Sequence, residues 1–207
     1  MAKIDPHFEK ILFDHKQIVA ACKKAAKWID TKYKGKRPLL VSILKGSIPF
    51  TAELIKHITT DVELDFIVYS SYLGGIASSN KKIKIITHIK VDAKGRDVIL
   101  LDDVIDTGWT IHNLKKSLLE IKKAKSVCAM CLVDKPQKRE VDIGEYYSCF
   151  TIGNEFLIGF GLDYHELLRN IPYVGVLKNE LFQKEVELAK AKAENKIKIN
   201  KKKYYDK

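Results

Sequence analysis

The chain has 207 residues, 46% of them hydrophobic, and carries 37 basic against 26 acidic side chains for a formal net charge of +11. That length and apolar content suffice to bury one domain core, which excludes wholesale disorder, low complexity and dependence on disulfide staples. The N-terminus has neither an apolar leader core nor an acid-free, Arg- and Ser-rich leader, and no apolar stretch reaches bilayer length, so a soluble cytoplasmic protein is expected.

In chain order, DHKQIVAACKKAAKWID places Ile18, Cys22, Ala25 and Ile29 on one face with lysines opposite, an amphipathic helix with Asp14 as its N-cap. LLVSI (39–43) is a predicted strand, LKGS (44–47) a tight loop, and a helix follows from Pro49 to about His57, with proline in its first turn. LDFIVYSS (64–71) is a second strand. YLGGIASSNKK favours neither regular element and makes a surface loop, and KKIKIITHIK alternates like a half-exposed strand. DVILLDDVIDTGWT runs from a buried strand into a loop, and Thr110 is expected to cap the helix IHNLKKSLLEIKKA. VCAMCLV is another buried strand. Short strands are expected at FLIGF (156–160) and YVGVL (173–177), and residues 184–207 form a basic extension whose nine lysines against four acids supply +5 of the +11. Val-, Ile- and Leu-rich strands alternating with helices predict an α/β fold, a doubly wound and mostly parallel sheet in one domain over 1–183. Cys22, Cys128, Cys131 and Cys149 include one C-x-x-C, but it lies inside a buried strand with no second pair, so all four are taken as structural.

The informative stretch is VILLDDVIDTGWT (98–110). Ligands of a doubly wound sheet bind beyond the carboxyl ends of its strands, where a strand feeding a helix presents backbone amides. A single aspartate there is more often a turn or cap residue. Three in five positions, followed by TGxT, point instead to function: Asp102, Asp103 and Asp106 beside amides and hydroxyls of Thr107, Gly108, Trp109 and Thr110. Phosphate and carboxylates coexist when a cation or sugar hydroxyls stand between them, which implies a sugar phosphate with Mg2+. The pattern is neither a P-loop nor a dinucleotide fingerprint, so ATPase, GTPase and dinucleotide functions fall. Lys45 and Gly46, between a strand and a helix, form a second possible anion site. Taken alone, a lysine such as Lys45 is more often solvated, Lys135 is as readily solvated as functional, Phe156 is more often core, and Asp163 and Arg169 fit a solvated helical turn as well as a site.

VILLDDVIDTGWT resembles the signature of the type I phosphoribosyltransferases, and LKGS, SSY (70–72), VDKP (133–136) and FLIGFGLDYHELLRNIPYVGVLK (156–178) resemble, in order, segments of the hypoxanthine-guanine members of that family. The likeness covers roughly residues 8–178. It implies a small hood built from the N-terminal region and residues about 150–180. It also implies transfer of the 5-phosphoribosyl group from phosphoribosyl pyrophosphate to N9 of hypoxanthine or guanine, giving IMP or GMP, with Mg2+ as cofactor and a homodimer or homotetramer as assembly.

By the same resemblance Asp102 and Asp103 hold the ribose hydroxyls and the metal, Asp106 is the catalytic group near purine N7, and Thr107, Gly108, Trp109 and Thr110 hold the 5′-phosphate. Lys45, Gly46, Ser71, Tyr72 and Arg169 are assigned to pyrophosphate, with Ser71 and Tyr72 on a closing loop. Lys135 donates to O6, Phe156 stacks on the base, Leu157 offers backbone groups to its edge, and Asp163 serves the metal and the base side of the pocket. The family loop before the lysine often contains a cis peptide. Asp102 stands where the family usually has glutamate, Ser47 where a second glycine is common, and Trp109 where the residue varies. A salvage enzyme for xanthine or a pyrimidine is the nearest alternative. A nucleic-acid-binding regulator is the alternative of another class, suggested by the basic tail but without a helix-turn-helix, zinc-finger or RNP pattern.

Overall fold

In the computed structural model, residues 5–71, 83–87, 89–184 and 187 are described. The elements are β1 (Phe8–Phe13), α1 (His15–Lys32), β2 (Leu39–Leu44), α2 (Ile48–Ile55), β3 (Glu63–Ser71), β4 (Ile83–Thr87), β5 (Asp97–Ile105), α3 (Trp109–Glu120), β6 (Ser126–Asp134), β7 (Tyr146–Thr151), β8 (Leu157–Ile158) and β9 (Val174–Leu177), with a 3₁₀ turn at Pro136–Lys138. The main sheet has the order β4-β3-β2-β5-β6-β7. All neighbours pair in parallel except the edge pair β3 and β4. The predicted fold is therefore observed: a doubly wound, mostly parallel sheet with helices on both faces.

Period-2 alternation in fully buried strands explains why both faces are apolar. Leu40, Ile99, Leu101, Met130 and Leu132 point to the face covered by α1 and α2, where they meet Ile18, Cys22, Ile29, Phe50 and Leu54. Leu39, Val41, Val98, Leu100 and Ala129 point to the other, against Ile111, Leu114 and Leu118 of α3. A separate antiparallel sheet, β1-β9-β8, forms the hood. It joins the body through Phe160, Leu162, Val174 and Val176, and through Phe13 stacked on Phe150 with ring centroids 3.8 Å apart.

The start of α1 is the expected cap, completed into a capping box: Gln17 N donates to Asp14 Oδ1 at 2.8 Å while Asp14 N donates to Gln17 Oε1 at 2.9 Å. Three expectations need correction. The strand β5 continues through the aspartate pair to Ile105, because parallel pairing with β6 holds to the register Ile105 to Asp134. Thr110 is inside α3, whose N-cap is Gly108 at φ +88° with no side-chain cap. The glycine turns the chain so sharply that the helix begins at Trp109. Finally, β1 and β7 were not expected; both are half-exposed, and neither FEKILF nor YYSCFT alternates cleanly. Burial pushes the Cys22 thiol up to about 12 and raises Cys128, Cys131 and Cys149 as well, so all four are protonated near neutral pH, three inside the core and Cys149 half-buried against it. No helix among the described residues is long and apolar enough to cross a membrane.

Near the end of α1, Asp30 ties the helix to the loop before β3, accepting from Thr60 N at 2.8 Å, from Thr59 N at 3.0 Å and from Thr59 Oγ1 at 2.8 Å. Partial burial raises its proton affinity, but these donors outweigh that effect and hold the carboxyl below its ordinary value. A depressed folded pKa adds stability above the unfolded carboxyl pKa that is lost as pH falls through the folded one. The Asp30→Asn protein is expected to be less stable at pH 7 by roughly 0.5–1 kcal/mol, allowing for solvent screening. In urea melts the gap to the native protein should close as pH drops through the carboxylate range; a gap that widens there refutes the assignment.

Candidate active site

Three loops leave the carboxyl ends of adjacent parallel strands and meet at one edge of the sheet. The first follows β2, whose Leu44-Lys45 peptide is cis. Ser47 is fully buried and its hydroxyl turns inward, donating to Ile43 O at 2.6 Å and lying 2.7 Å from Ser42 Oγ. The extra hydroxyl therefore braces the loop from beneath. Gly46 faces the end of β5 directly: a methyl group placed on it would sit 1.8 Å from Asp103 Oδ2.

The acidic pair lies near the carboxyl end of β5. Asp102 is 5% exposed and accepts from Asp103 N at 3.1 Å, while Asp103 accepts from Val104 N at 3.0 Å. Burial first, and then the adjacent Asp103 carboxylate, push the Asp102 pKa well up. A carboxyl pair with one member buried and the other half-buried fits a hard divalent cation. Mg2+ takes one or two protein carboxylates and completes its shell with substrate oxygens and water, so the donor set is chemically suitable. Among the described residues, no cluster of three or more His, Cys, Asp or Glu stands ready to hold a metal by itself.

Beyond β5, the segment 106–110 turns through Gly108 into α3. With no side-chain cap, the first amides of the helix are left for an anion, reinforced by the helix dipole. The connection after β6 binds this loop residue by residue. Lys135 N donates to Ile105 O at 3.0 Å, Arg139 Nη1 to Asp106 O at 3.0 Å, and Glu140 N to Thr107 O at 2.9 Å. The Trp109 indole donates to Glu140 Oε2 at 2.7 Å, which ties its ring to the segment after β6. Asp106 has 40% of its side chain exposed; Oδ2 lies 3.4 Å from Lys138 Nζ, and Oδ1 is buried without a hydrogen-bond partner.

Lys135, the candidate base contact, is 6% exposed, which excludes the solvated alternative. Its ammonium donates to Glu155 O at 2.7 Å, and burial lowers its pKa. Phe156 is 39% exposed, so it is no core aromatic; Phe182, in the helical segment that follows β9, lies 5.8 Å away between ring centroids. Leu157 is buried in β8, opposite Val176.

The hood contributes Asp163 and Arg169. Arg169 Nη2 pairs with Asp163 Oδ1 at 2.7 Å, and Nη1 donates to Gly161 O at 2.7 Å. Glu166 sits between the two cations of this side, 3.0 Å from Lys45 Nζ and 3.1 Å from Arg169 Nη2. Those hydrogen bonds hold Glu166 below the usual carboxylate range. Ser71 ends β3, paired with Ile83. Tyr72 lies outside the described residues, as do most of the expected closing loop and residues 188–207 of the basic extension.

The edge thus collects Lys45, Gly46, Asp102, Asp103, residues 106–110, Lys135 and, from the hood, Asp163 and Arg169. Asp134, Arg139, Glu140 and Glu166 were missed from sequence. The signal available for the first three was the charged run DKPQKRE directly after a buried strand.

The family model of the phosphoribosyl transferase domain matches residues 9–165. Hypoxanthine-guanine phosphoribosyltransferase of Streptococcus thermophilus is 48% identical over 181 residues, 87% of this chain and 99% of that protein. The protein of the same name from Streptococcus pneumoniae is 49% identical over 179 residues, 86% of this chain and 98% of its own. The crystal structure of a hypoxanthine phosphoribosyltransferase from Staphylococcus aureus superposes with a TM-score of 0.80 at 37% identity, covering 85% of this chain and 95% of that one. The matched range, the identities and the superposed fold agree with one another, and the chain belongs to the type I phosphoribosyltransferase family, among its purine-salvage members.

Proposed function

We propose that the protein transfers the 5-phosphoribosyl group from phosphoribosyl pyrophosphate to N9 of hypoxanthine or guanine, releasing pyrophosphate and forming IMP or GMP. The observation that carries this reading is the placement of Asp106 and Lys135. They directly follow Ile105 and Asp134, which are paired in register on adjacent parallel strands. A 6-oxopurine presents N7 and O6 side by side on one edge. A carboxylate with an unpartnered oxygen beside a buried ammonium matches that edge, whereas the amino group of adenine would meet a second donor at Lys135 and leave it unpaired.

In this mechanism Phe156 stacks on the base and the backbone beside Leu157 meets its edge. The amides of Thr107 to Thr110 hold the 5′-phosphate, and Asp102 and Asp103 hold the ribose hydroxyls. As charge shifts across the purine, Asp106 accepts or holds the proton at N7. Lys45, the Gly46 amide and Arg169 stabilise negative charge on the departing pyrophosphate. Asp102, Asp103 and Asp163 would hold Mg2+, which when bound neutralises part of the pyrophosphate charge.

A panel of free bases, incubated with the donor and Mg2+, tests the reading. Hypoxanthine and guanine are expected to be consumed with stoichiometric pyrophosphate, and adenine and uracil left untouched. Consumption of xanthine or a pyrimidine alone, or of no base, overturns it.

A further inference from the structure

We propose that Arg139 is a positioning residue for the phosphate loop: its guanidinium, locked to buried Asp134, aims the loop's backbone amides at the 5′-phosphate. The argument starts from the planar trans peptide, in which C=O and N–H point in opposite directions. Arg139 Nη1 holds the carbonyl of Asp106 at 3.0 Å, so the N–H of Thr107, in the same peptide plane, is turned the other way. Glu140 N holds the carbonyl of Thr107 at 2.9 Å, which turns the N–H of Gly108 outward as well. Two successive amides are thereby aimed away from the 134–140 segment, beside the uncapped start of α3.

The brace is itself fixed. Arg139 Nη2 binds Asp134 Oδ1, and the Tyr146 hydroxyl donates to Asp134 Oδ2 at 3.1 Å. Asp134 is 2% exposed, and the guanidinium lies 5.7 Å from the Tyr146 ring centroid. The arginine stem packs directly under the turn, since a methyl group on Gly108 would come within 2.9 Å of Arg139 Cδ. With 17% of its side chain exposed and both terminal nitrogens engaged, Arg139 is no direct phosphate ligand. Its effect passes through the peptide planes. The planar fork is needed because two acceptors in different directions, a carboxylate and a carbonyl, must be held at once; a lysine ammonium on a flexible stem retains the charge without that geometry.

The inference rests on residues 107–110 being the phosphate loop, and the experiment separates the two. Calorimetric affinities for GMP and for guanosine, which lacks the 5′-phosphate, are compared in the native protein and in Arg139→Lys. The variant is expected to bind GMP about tenfold more weakly or worse, the size of one lost charge-assisted hydrogen bond, with guanosine within about twofold of the native value. In turnover, KM for the donor should rise while KM for the base holds. Asp134→Asn, which keeps an acceptor for the guanidinium but removes its charge, should shift GMP in the same direction and supplies the readout if Arg139→Lys melts early. A native protein that binds GMP no tighter than guanosine removes the phosphate-loop reading and this inference with it. A native protein that discriminates, with variants that discriminate equally or lose both ligands in proportion, overturns the inference alone.

Discussion

Replacing Asp106 by alanine is expected to lower kcat by about two to four orders of magnitude while leaving the protein folded. The first half follows from the proposed chemistry, in which this carboxylate manages the proton at purine N7. The second follows from its surroundings: the side chain is 40% exposed, Oδ1 has no partner, and the 3.4 Å contact to Lys138 is a solvent-screened ion pair. The carbonyl of Asp106, which anchors the loop to Arg139, belongs to the backbone and survives the substitution. Stability should therefore change by no more than about 0.5 kcal/mol. Steady-state rates with hypoxanthine and guanine, paired with a thermal melt, check both halves. Full kcat with both bases would sink the catalytic role, and a large fall in melting temperature would show that the carboxylate had been structural.

The Gly161→Ala protein should fail for the opposite reason, through the fold. Gly161 has φ +98°, a region that side-chain-bearing residues rarely adopt, and an added methyl group would lie 2.0 Å from Gly46 O and 3.0 Å from Pro49 Cδ. The nearest obstacle is backbone, so no side chain can rotate out of the way. Strained φ and forced overlap each cost roughly 1–3 kcal/mol, for a loss of about 3–4 kcal/mol. In a domain of this size that corresponds to a fall in melting temperature of roughly 10 °C. The carbonyl that is struck belongs to the loop assigned to pyrophosphate, so KM for the donor should rise in whatever protein remains folded. A variant melting within about 2 °C of the native protein would show that hood and loop can part without cost.

The buried strands β2, β5 and β6 were legible because each is an unbroken apolar run, and a fully buried parallel strand has no other way to be written. The cap at Asp14 was legible because a capping box is local in sequence. The loop after β5 was legible because three acids in five positions directly follow a buried apolar strand, a density that turn chemistry alone does not call for. What escaped notice depends on contacts across long separations. The strands β1 and β7 present mixed faces, so neither period shows. The end of β5 is set by its register with β6, which overrides the polarity of Asp102 and Asp103. Ser47 could have faced the ligand or the core, and only the proximity of Ser42 and the Ile43 carbonyl decides for the core. Asp134 and Arg139 look like solvated charge in DKPQKR; their pairing becomes meaningful only once the loop from β5 lies against them.

Glu166 places a carboxylate between Lys45 and Arg169, the two cations assigned to pyrophosphate, and reaches from the hood to the β2 loop in doing so. In the proposed reaction an incoming diphosphate would replace one anion with another at these two cations. Its affinity is the difference between two sets of ion pairs, which keeps the grip on the leaving group moderate. As pyrophosphate departs, Glu166 can take back both cations. Product release would then be an exchange of partners, with Lys45 returning to Glu166 and Arg169 held by Asp163 and Glu166 together.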